Sequence, residues 1–256
     1  MWTHRLLLEM RSHEFNCFAT LTYDDDHLPE GGVLVKRHYQ LFLKRLRKSL
    51  AKNHRSLRYF LVGEYGTENE RPHYHACLFG LSHIEVDLVG AAWPYGFVRL
   101  DKLDEGLATY ICKYVVKAYK VGNPALDGRP PEFARMSTAP GLGFPYVRDR
   151  LGSTLSSTAG RLALAALGDV PTQLTTHGKS LPLGRYLTAK LREVLGYEPG
   201  VPPEVEKARQ LQMLDVYLAA ESPYQFHESR KAERLQKVLQ MKGKALIEST
   251  RKKATL

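Results

Sequence analysis

The chain has 256 residues, a formal net charge of +10 at neutral pH and a sequence pI near 9.4. This length is enough for one larger domain or two small ones, and the basic balance favours a polyanionic partner, with nucleic acid before an acidic membrane surface. Three cysteines without a CxxC pair argue against a disulfide framework or a zinc knuckle, and no run of about 18 apolar residues is present to span a bilayer, so we predict a soluble protein of a reducing compartment.

The first predicted element is a β-strand over residues 15–23, FNCFATLTY, in which aromatic and β-branched residues are frequent. An acidic turn follows the strand and contains Asp24, Asp25 and Asp26. Thr20, Thr22 and these aspartates could help to shape a site. A core strand followed by a solvated acidic turn explains the same residues equally well.

An amphipathic helix is predicted between residues 33 and 52, because apolar side chains recur there every three to four positions. No acidic residue occurs from Val33 to Arg58, whereas ordinary solvated helices mix both signs of charge. Phosphate groups would relieve the repulsion along such a surface, so we predict nucleic-acid contact, with a solvated basic surface as the alternative. The cations are Lys36, Arg37, Lys44, Arg45, Arg47, Lys48, Lys52, Arg55 and Arg58.

A β-hairpin is predicted from residues 59–65, YFLVGEY, and the following run RPHYHACLFG. Side chains alternate faces along a strand, so His73 and His75 share one face, and the hairpin can bring Glu64 alongside them. Two imidazoles and one carboxylate suit Mg²⁺, Mn²⁺ or Zn²⁺ and leave coordination positions open for chemistry. A chance histidine pair with a solvated Glu64 is the alternative, and Glu70 in the turn is a weaker candidate ligand.

A second candidate group lies on a helix predicted to begin near Asp104, after a short strand at 97–100. Tyr110 and Tyr114 are four residues apart, as are Lys113 and Lys117, so each pair lies near one helix face. A tyrosine nucleophile beside an ammonium group that steadies a phosphate is chemically sensible. Tyrosines at this spacing also form core stripes, and these residues by themselves leave both interpretations open.

In this order, the segments FATLTYDDD, RPHYH and YICKYVVK resemble the three motifs of the HUH endonucleases. They are most similar to those of the rolling-circle replication initiators of microviruses, especially the gokushovirus branch, over residues 15–145. The resemblance implies a divalent metal ion, Mg or Mn, and tyrosine nucleophiles. Matched position by position, it assigns the metal to His73 and His75, nucleophilic attack to Tyr110 and Tyr114, and the motif lysines to Lys113 and Lys117, with Glu64 as a looser third ligand.

The expected fold is α+β: an RRM-like HUH endonuclease domain over residues 1–146. Its central antiparallel sheet would have the histidine strand in the middle, with the basic helix packed on it and the tyrosine helix across the metal-facing side. Residues 147–256 are expected to form a mostly helical, basic region of unknown role. Its helices are predicted at 184–195, 204–220 and 226–250.

The resemblance implies an enzyme that nicks and rejoins single-stranded DNA at a replication origin through a 5′-phosphotyrosine intermediate, during rolling-circle replication of a small phage genome. Host replication proteins would be partners, the host cytoplasm the location, and no membrane would be involved. The DNA-binding set is the basic helix, through Lys36, Arg37, Lys44, Arg45, Arg47 and Lys48, together with Arg71. A non-catalytic single-stranded nucleic-acid-binding module is one alternative. A plasmid relaxase or a single-strand transposase is another.

Overall fold

The computed structural model describes residues 2–66, 70–118, 128–176, 179–198 and 200–218. The chain divides into two compact units, residues 1–199 and residues 200–256. In the first unit the sheet and its helices are α1 (Trp2–Met10), β1 (Asn16–Thr22), α2 (Lys36–Ala51), β2 (Arg58–Tyr65), β3 (Pro72–Phe79), α3 (Val86–Ala92), β4 (Val98–Lys102), α4 (Glu105–Ala118) and β5 (Phe133–Met136).

The remainder of the first unit is mainly helical, with one small hairpin. Its elements are α5 (Phe144–Tyr146), which continues into a π-helical turn (Val147–Gly152), then α6 (Ser153–Ser156), α7 (Thr158–Leu167), β6 (Gln173–Thr176), β7 (Lys179–Pro182) and α8 (Gly184–Val194). In the second unit, the described residues contain α9 (Pro203–Leu218). Among the described helices, none is both long and apolar enough to span a bilayer.

The central sheet has five antiparallel strands in the order β4-β1-β3-β2-β5. The histidine strand β3 is therefore the middle strand, and the predicted α+β class with a central antiparallel sheet is confirmed. The finer RRM-like description stays a prediction. Since β3 has a neighbour on each side, residues at its ends can meet side chains from both β1 and β2.

One face of the sheet is apolar along its whole length and packs against α2 and α3. Phe42 and Leu46 of α2 are fully buried there against Leu61 of β2 and Tyr74 of β3. This packing explains the amphipathic pattern predicted for α2, since the apolar side of the helix contacts the sheet. The basic surface of α2 consequently points away from the sheet.

The opposite face packs against α1 and α4 at one end. Leu6 of α1 and Ile111 of α4 are buried with Phe18, Phe60 and Phe79 of the sheet. The helix that carries the tyrosines therefore lies across the face to which the histidines point, where apolar packing fixes its position. We call this the α4 face of the sheet.

Three elements that pack around or extend the central sheet were not predicted from the sequence. Residues 2–10 form a helix because Leu6 fills the core beneath α4 and Leu8 fills a separate core farther along the chain. The connection after β3 contains α3, and residues 133–136 form the edge strand β5. In each case the decisive contacts are with distant residues, which a local pattern does not reveal.

The first compact unit runs to residue 199. Within it, Leu8 of α1 packs with Val147, Leu187 and Leu191, so the helices after residue 146 share a core with the N-terminal helix. The functional boundary expected after residue 146 stays a prediction. Helices α8 and α9 lie where helices were predicted at 184–195 and 204–220. The helix predicted at 226–250 lies outside the described residues.

Candidate active site

The predicted metal ligands occupy neighbouring positions on the α4 face. Glu64 on β2 is directly opposite His73 on β3, which in turn is opposite Thr22 on β1. One pleat farther along, His75 is opposite Thr20 of β1. Residues opposite each other in an antiparallel pair project to the same side, so all of these side chains share one face.

Glu64 and His75 form a buried pair. His75 Nε2 lies 2.8 Å from Glu64 Oε1, and His75 Nδ1 lies 3.1 Å from Thr20 Oγ1. Only 7% of Glu64 and 8% of His75 is exposed, so little water competes with these contacts. Both nitrogens of the His75 ring are therefore fixed by neighbouring strands, which sets the orientation of the ring.

His73 is held differently. Its Nδ1 lies 2.6 Å from the backbone carbonyl oxygen of Arg71, which can only accept a hydrogen bond. The ring therefore carries a proton on Nδ1, and burial lowers the pKa of His73, which favours the neutral ring. A neutral imidazole protonated at Nδ1 has its lone pair on Nε2, the form in which histidine binds metals.

Both tyrosines of α4 cover the Glu64–His75 pair. The Tyr114 ring stacks on the His75 ring at 5.9 Å and 26°, and the Tyr110 ring meets it edge-on at 5.9 Å and 80°. The Tyr114 hydroxyl donates a hydrogen bond to the Tyr110 hydroxyl. Two phenolic hydroxyls thus lie together above the central strand.

The two tyrosines are not equivalent in their surroundings. Tyr110 is 37% exposed, whereas Tyr114 is half-buried. Burial, followed by the hydrogen bond to Tyr110 and the nearby charge of Glu64, raises the pKa of Tyr114 well above its usual value. Tyr110 is therefore the more solvent-accessible of the two tyrosines.

The two motif lysines are less well placed by the structure. Lys113 is exposed on α4, one residue before Tyr114. The backbone of Lys117 belongs to α4, but its side chain lies outside the described part of the chain. The role predicted for these lysines, steadying a phosphate beside the tyrosines, stays a prediction.

Glu64, His73 and His75 do not form a ready three-ligand cluster. Within the described ranges, no group of three or more His, Cys, Asp or Glu side chains is arranged to hold a metal ion. The physical reason is that Glu64 and His75 bind each other while the Arg71 carbonyl holds the His73 ring. The weaker candidate Glu70 forms an ion pair with Arg129 at 2.7 Å instead.

The predicted DNA-binding helix lies on the other side of the sheet from the tyrosines. Five of its cations are exposed on α2: Lys36, Arg37, Lys44, Arg47 and Lys48. The Lys36 ammonium lies over the Phe133 ring, and the Arg47 guanidinium lies over the Tyr59 ring. Arg45 is half-buried over the Tyr95 ring and donates to the Ala92 carbonyl at 3.4 Å. The structure therefore does not bring this helix and the tyrosines together.

Three other predicted cations have protein partners. Arg71 forms an ion pair with Asp25 at 2.7 Å and donates to the Tyr23 carbonyl. Arg55 pairs with Glu85, and Arg58 pairs with Glu9. The acidic partners of Arg55 and Arg58 come from distant parts of the chain and offset part of the charge of the cationic surface. DNA contact by these two arginines stays a prediction. Thr20, a candidate from the first predicted strand, contacts His75. The sequence could not show this contact, because it depends on the register between β1 and β3.

Comparison with known proteins bears on the segment that contains this site. Residues 16–119, which span β1 to α4, match the sequence model of a family of replication-associated proteins, the ORF2 family. We call residues 16–119 the matched segment. The predicted resemblance to replication proteins of small phages is confirmed by this match and by the relatives below, and the candidate site lies wholly inside the matched segment.

Three curated proteins of phages are similar to this chain. Replication-associated protein ORF2 of Spiroplasma virus 4 is 31% identical over 166 residues, which cover 57% of this chain and 51% of the relative. Replication-associated protein ORF4 of Chlamydia phage 1 is 33% identical over 135 residues, which cover 45% of this chain and 34% of the relative. Replication-associated protein VP4 of Bdellovibrio phage phiMH2K is 30% identical over 135 residues, which cover 45% of this chain and 42% of the relative. The chain thus spans about half of these relatives or less, and no solved structure matches it significantly.

Proposed function

We propose that the matched segment is an HUH-type endonuclease that nicks and rejoins single-stranded DNA at a phage replication origin. The observation that carries this proposal is the pair of tyrosine hydroxyls above Glu64 and His75 on the central strand. The relatives, named as replication-associated proteins of phages, favour this biology over a plasmid relaxase or a transposase. Host replication proteins as partners and the host cytoplasm as location belong to the same proposal.

In the proposed reaction a tyrosine oxygen attacks the phosphorus of a DNA phosphodiester. The new O–P bond forms as the bond from phosphorus to the 3′ oxygen breaks, leaving a 5′-phosphotyrosine and a free 3′-hydroxyl. The tyrosine gives up its proton, and the departing 3′ oxygen takes one up. A phosphodiester replaces a phosphodiester, so a 3′-hydroxyl can later attack the phosphotyrosine and rejoin the strand.

The chain's own residues prepare Tyr110 for this attack. Tyr110 is the more exposed tyrosine, and its contact with Tyr114 holds it over the Glu64–His75 pair. Tyr114 can supply a second attack once the first strand has been joined, which is what circularising a displaced unit strand requires. Lys113 and Lys117 would steady the phosphate charge from the same helix.

A divalent ion, Mg²⁺ or Mn²⁺, is part of the proposal, with His73, His75 and Glu64 as the residues that would hold it. The donor set fits in chemical type, and the tautomer of His73 leaves Nε2 available. When bound, such an ion would polarise a non-bridging phosphate oxygen as a Lewis acid. His73→Ala should weaken Mn²⁺ binding by more than about 100-fold in calorimetry, whereas His83→Ala, in the loop before α3, should leave it unchanged. Equal Mn²⁺ affinity in both variants would remove the metal from the proposal.

The cations of α2 and Arg71 are proposed to bind DNA. Because α2 is on the opposite side of the sheet, its cations would contact a part of the strand away from the phosphate being cut. Such contacts raise affinity through counterion release without touching the reacting atoms.

The test is to incubate the full chain with circular single-stranded DNA carrying a microvirus origin and Mn²⁺, and to look for a covalent protein–DNA adduct on a denaturing gel. The expected result is an adduct with the wild type and Mn²⁺. No adduct should form when EDTA is present during the reaction, or with the Tyr110→Phe/Tyr114→Phe double variant. Tyr197→Phe is the matched control, since Tyr197 is 38% exposed and Tyr110 is 37% exposed. Binding without any adduct would instead support the non-catalytic module.

A further inference from the structure

Phe97 is a large aromatic residue left open to solvent at the edge of the sheet. Its exposed fraction is 70%. It immediately precedes β4, and its backbone exchanges two hydrogen bonds with Thr22 of β1, at 3.0 and 3.1 Å. Phe97 therefore continues the ladder between β1 and β4, in register with Thr22.

Phe97 and Arg99 project to the α4 face, the same face as the candidate active site. Val98 and Leu100, which alternate with them, pack against the core on the α2 side. The pairings then give one row across four strands: Glu64, His73, Thr22 and Phe97. Neighbouring strands are about 4.8 Å apart, so Phe97 is displaced from His73 by roughly 10 Å.

The backbone around Phe97 is closely fixed. Gly96 has φ +148°, and a Cβ atom there would come within 2.3 Å of the Asp24 backbone nitrogen. Trp93 Nε1 donates to the Thr22 carbonyl at 3.0 Å, and the Asp24 amide donates to the Tyr95 carbonyl at 3.0 Å. The segment before β4 is thus anchored on β1, and the exposed ring of Phe97 is presented from a fixed position.

We propose that Phe97 is a stacking platform for a base of single-stranded DNA and that Arg99 contacts an adjoining phosphate. The inference rests on the proposed function for its substrate class and adds the residues that position the strand beside the tyrosines. Every base has a face that can stack on an aromatic ring, but in a duplex that face is already covered by neighbouring bases. A fixed, exposed phenylalanine beside the site therefore selects single strands.

Arg99 supplies the positive charge next to this platform. Its side chain is 77% exposed and pairs with Asp101, two residues along the same face, at 3.1 Å. A guanidinium has five N–H donors, so the contact with Asp101 leaves donors for a phosphate. The combination of an exposed ring and an exposed arginine on one edge strand is typical of single-strand binding surfaces.

The proposal is tested by binding rather than by cleavage. Fluorescence anisotropy would measure the affinity of the full chain for a labelled single-stranded oligonucleotide in EDTA, where no nicking is expected. Phe97→Ala should bind about 5- to 100-fold more weakly, and Phe97→Trp should restore the affinity, because stacking depends on the ring. Ile84→Ala is the matched control, since Ile84 is 78% exposed in the loop before α3 and should have no effect.

Two further arms separate stacking from a general loss of binding. A series of oligonucleotides, each with one abasic position, should identify a base that stacks on Phe97. Removing that base should weaken binding by the wild type but not binding by Phe97→Ala. Affinity for a duplex of the same sequence should be equal in the two proteins. Arg99→Gln should remove about one phosphate contact. The slope of log affinity against log salt concentration for single-strand binding should therefore become shallower by about 0.7.

The outcomes distinguish this inference from the proposed function. Unchanged single-strand affinity in Phe97→Ala, or an equal loss for duplex, overturns the platform even if the wild type forms the covalent adduct. If Phe97→Ala shows the expected loss while no adduct ever forms, the platform stands and the endonuclease proposal fails. No single-strand binding by the wild type overturns both.

Discussion

Two buried carboxylates lie at opposite ends of the α4 face and are treated differently by the fold. Glu9 of α1 is fully buried beside the Arg58 guanidinium, His13 Nε2 at 3.1 Å and the Gly143 amide at 2.6 Å. Glu64 is 7% exposed, and its partners are His75 and Tyr114. Among the residues that the structure describes, no Arg or Lys lies within ion-pair distance of Glu64.

The difference separates a structural carboxylate from a chemically available one. Glu9 meets a permanent cation and a backbone amide, so its lone pairs are satisfied in a way that ties α1, β2 and the loop at Gly143 together. Glu64 meets only groups that can themselves gain or lose a proton. Burial beside such groups is characteristic of sites that bind a cation or move protons. The comparison predicts that changes at the Glu64 end affect chemistry and that changes at the Glu9 end affect stability.

The largest expected effect is at the tyrosines. The double variant Tyr110→Phe/Tyr114→Phe should lose at least about a thousandfold in nicking rate, because no nucleophile remains, yet should still bind single-stranded DNA. Each single variant should still cleave once and fail to complete circularisation, and Tyr110→Phe should cleave more slowly because Tyr114 is half-buried. The measurement is single-turnover nicking of an origin oligonucleotide. If one single variant loses all cleavage while the other behaves as wild type, only one tyrosine is a nucleophile.

The next effect is on stability. Glu9→Gln should lower the free energy of unfolding by about 3–5 kcal/mol at neutral pH, because it leaves the Arg58 charge without its partner. Glu64→Gln, the matched variant at the other end of the face, should change it by about 1 kcal/mol or less. Urea unfolding followed by circular dichroism measures both. Equal losses of stability in the two variants would erase the proposed distinction.

The Glu9 effect should depend on pH with a defined sign. Burial by itself would raise the pKa of Glu9, but hydrogen bonds from His13, Arg58 and Gly143 outweigh it and hold the pKa below the usual 4.5. A carboxyl whose pKa is depressed on folding contributes stability above its unfolded pKa and loses it as the pH falls through the folded value. The stability gap between wild type and Glu9→Gln should therefore be full near pH 7 and shrink below about pH 4. A gap that widens in acid would contradict this assignment.

The smallest expected effect is at α2. Replacing Lys44 and Lys48 by Glu should weaken single-strand binding by about tenfold at low salt and reduce the logarithmic salt slope by about 1.4, or 0.7 for each lost contact. Cleavage at saturating protein should be unchanged, since this helix lies across the sheet from the tyrosines. Arg161→Glu, on α7, is the control. An unchanged salt slope would mean that the α2 surface is solvated and does not contact DNA.

Local patterns predicted the elements that carry the site. The amphipathic α2, the hairpin of β2 and β3, and the tyrosine helix could be predicted because their periodicity is a direct result of their packing. Helix α1 could not, since its formation depends on Leu6 and Leu8 reaching two separate cores. The exposure of Phe97 on the α4 face could not be predicted from the sequence either, because only the register with Thr22 shows which face Phe97 occupies.

The arrangement of the site was only partly predictable for the same reason. Side-chain alternation placed His73 and His75 on one face, but the Glu64–His75 pair depends on strand register. The Arg71 carbonyl beside His73 depends on the turn before β3. Arg58 appeared to belong to a cationic surface because its partner Glu9 is 49 residues away in the sequence.

The most direct test of the account is to locate the DNA on the protein. After reaction of the full chain with single-stranded origin DNA and Mn²⁺, nuclease and protease digestion followed by mass spectrometry would identify the modified residue. We predict a 5′-phosphate-linked nucleotide on Tyr110 or Tyr114. A nucleotide on any other residue, or nicked DNA with no modified residue, would contradict it.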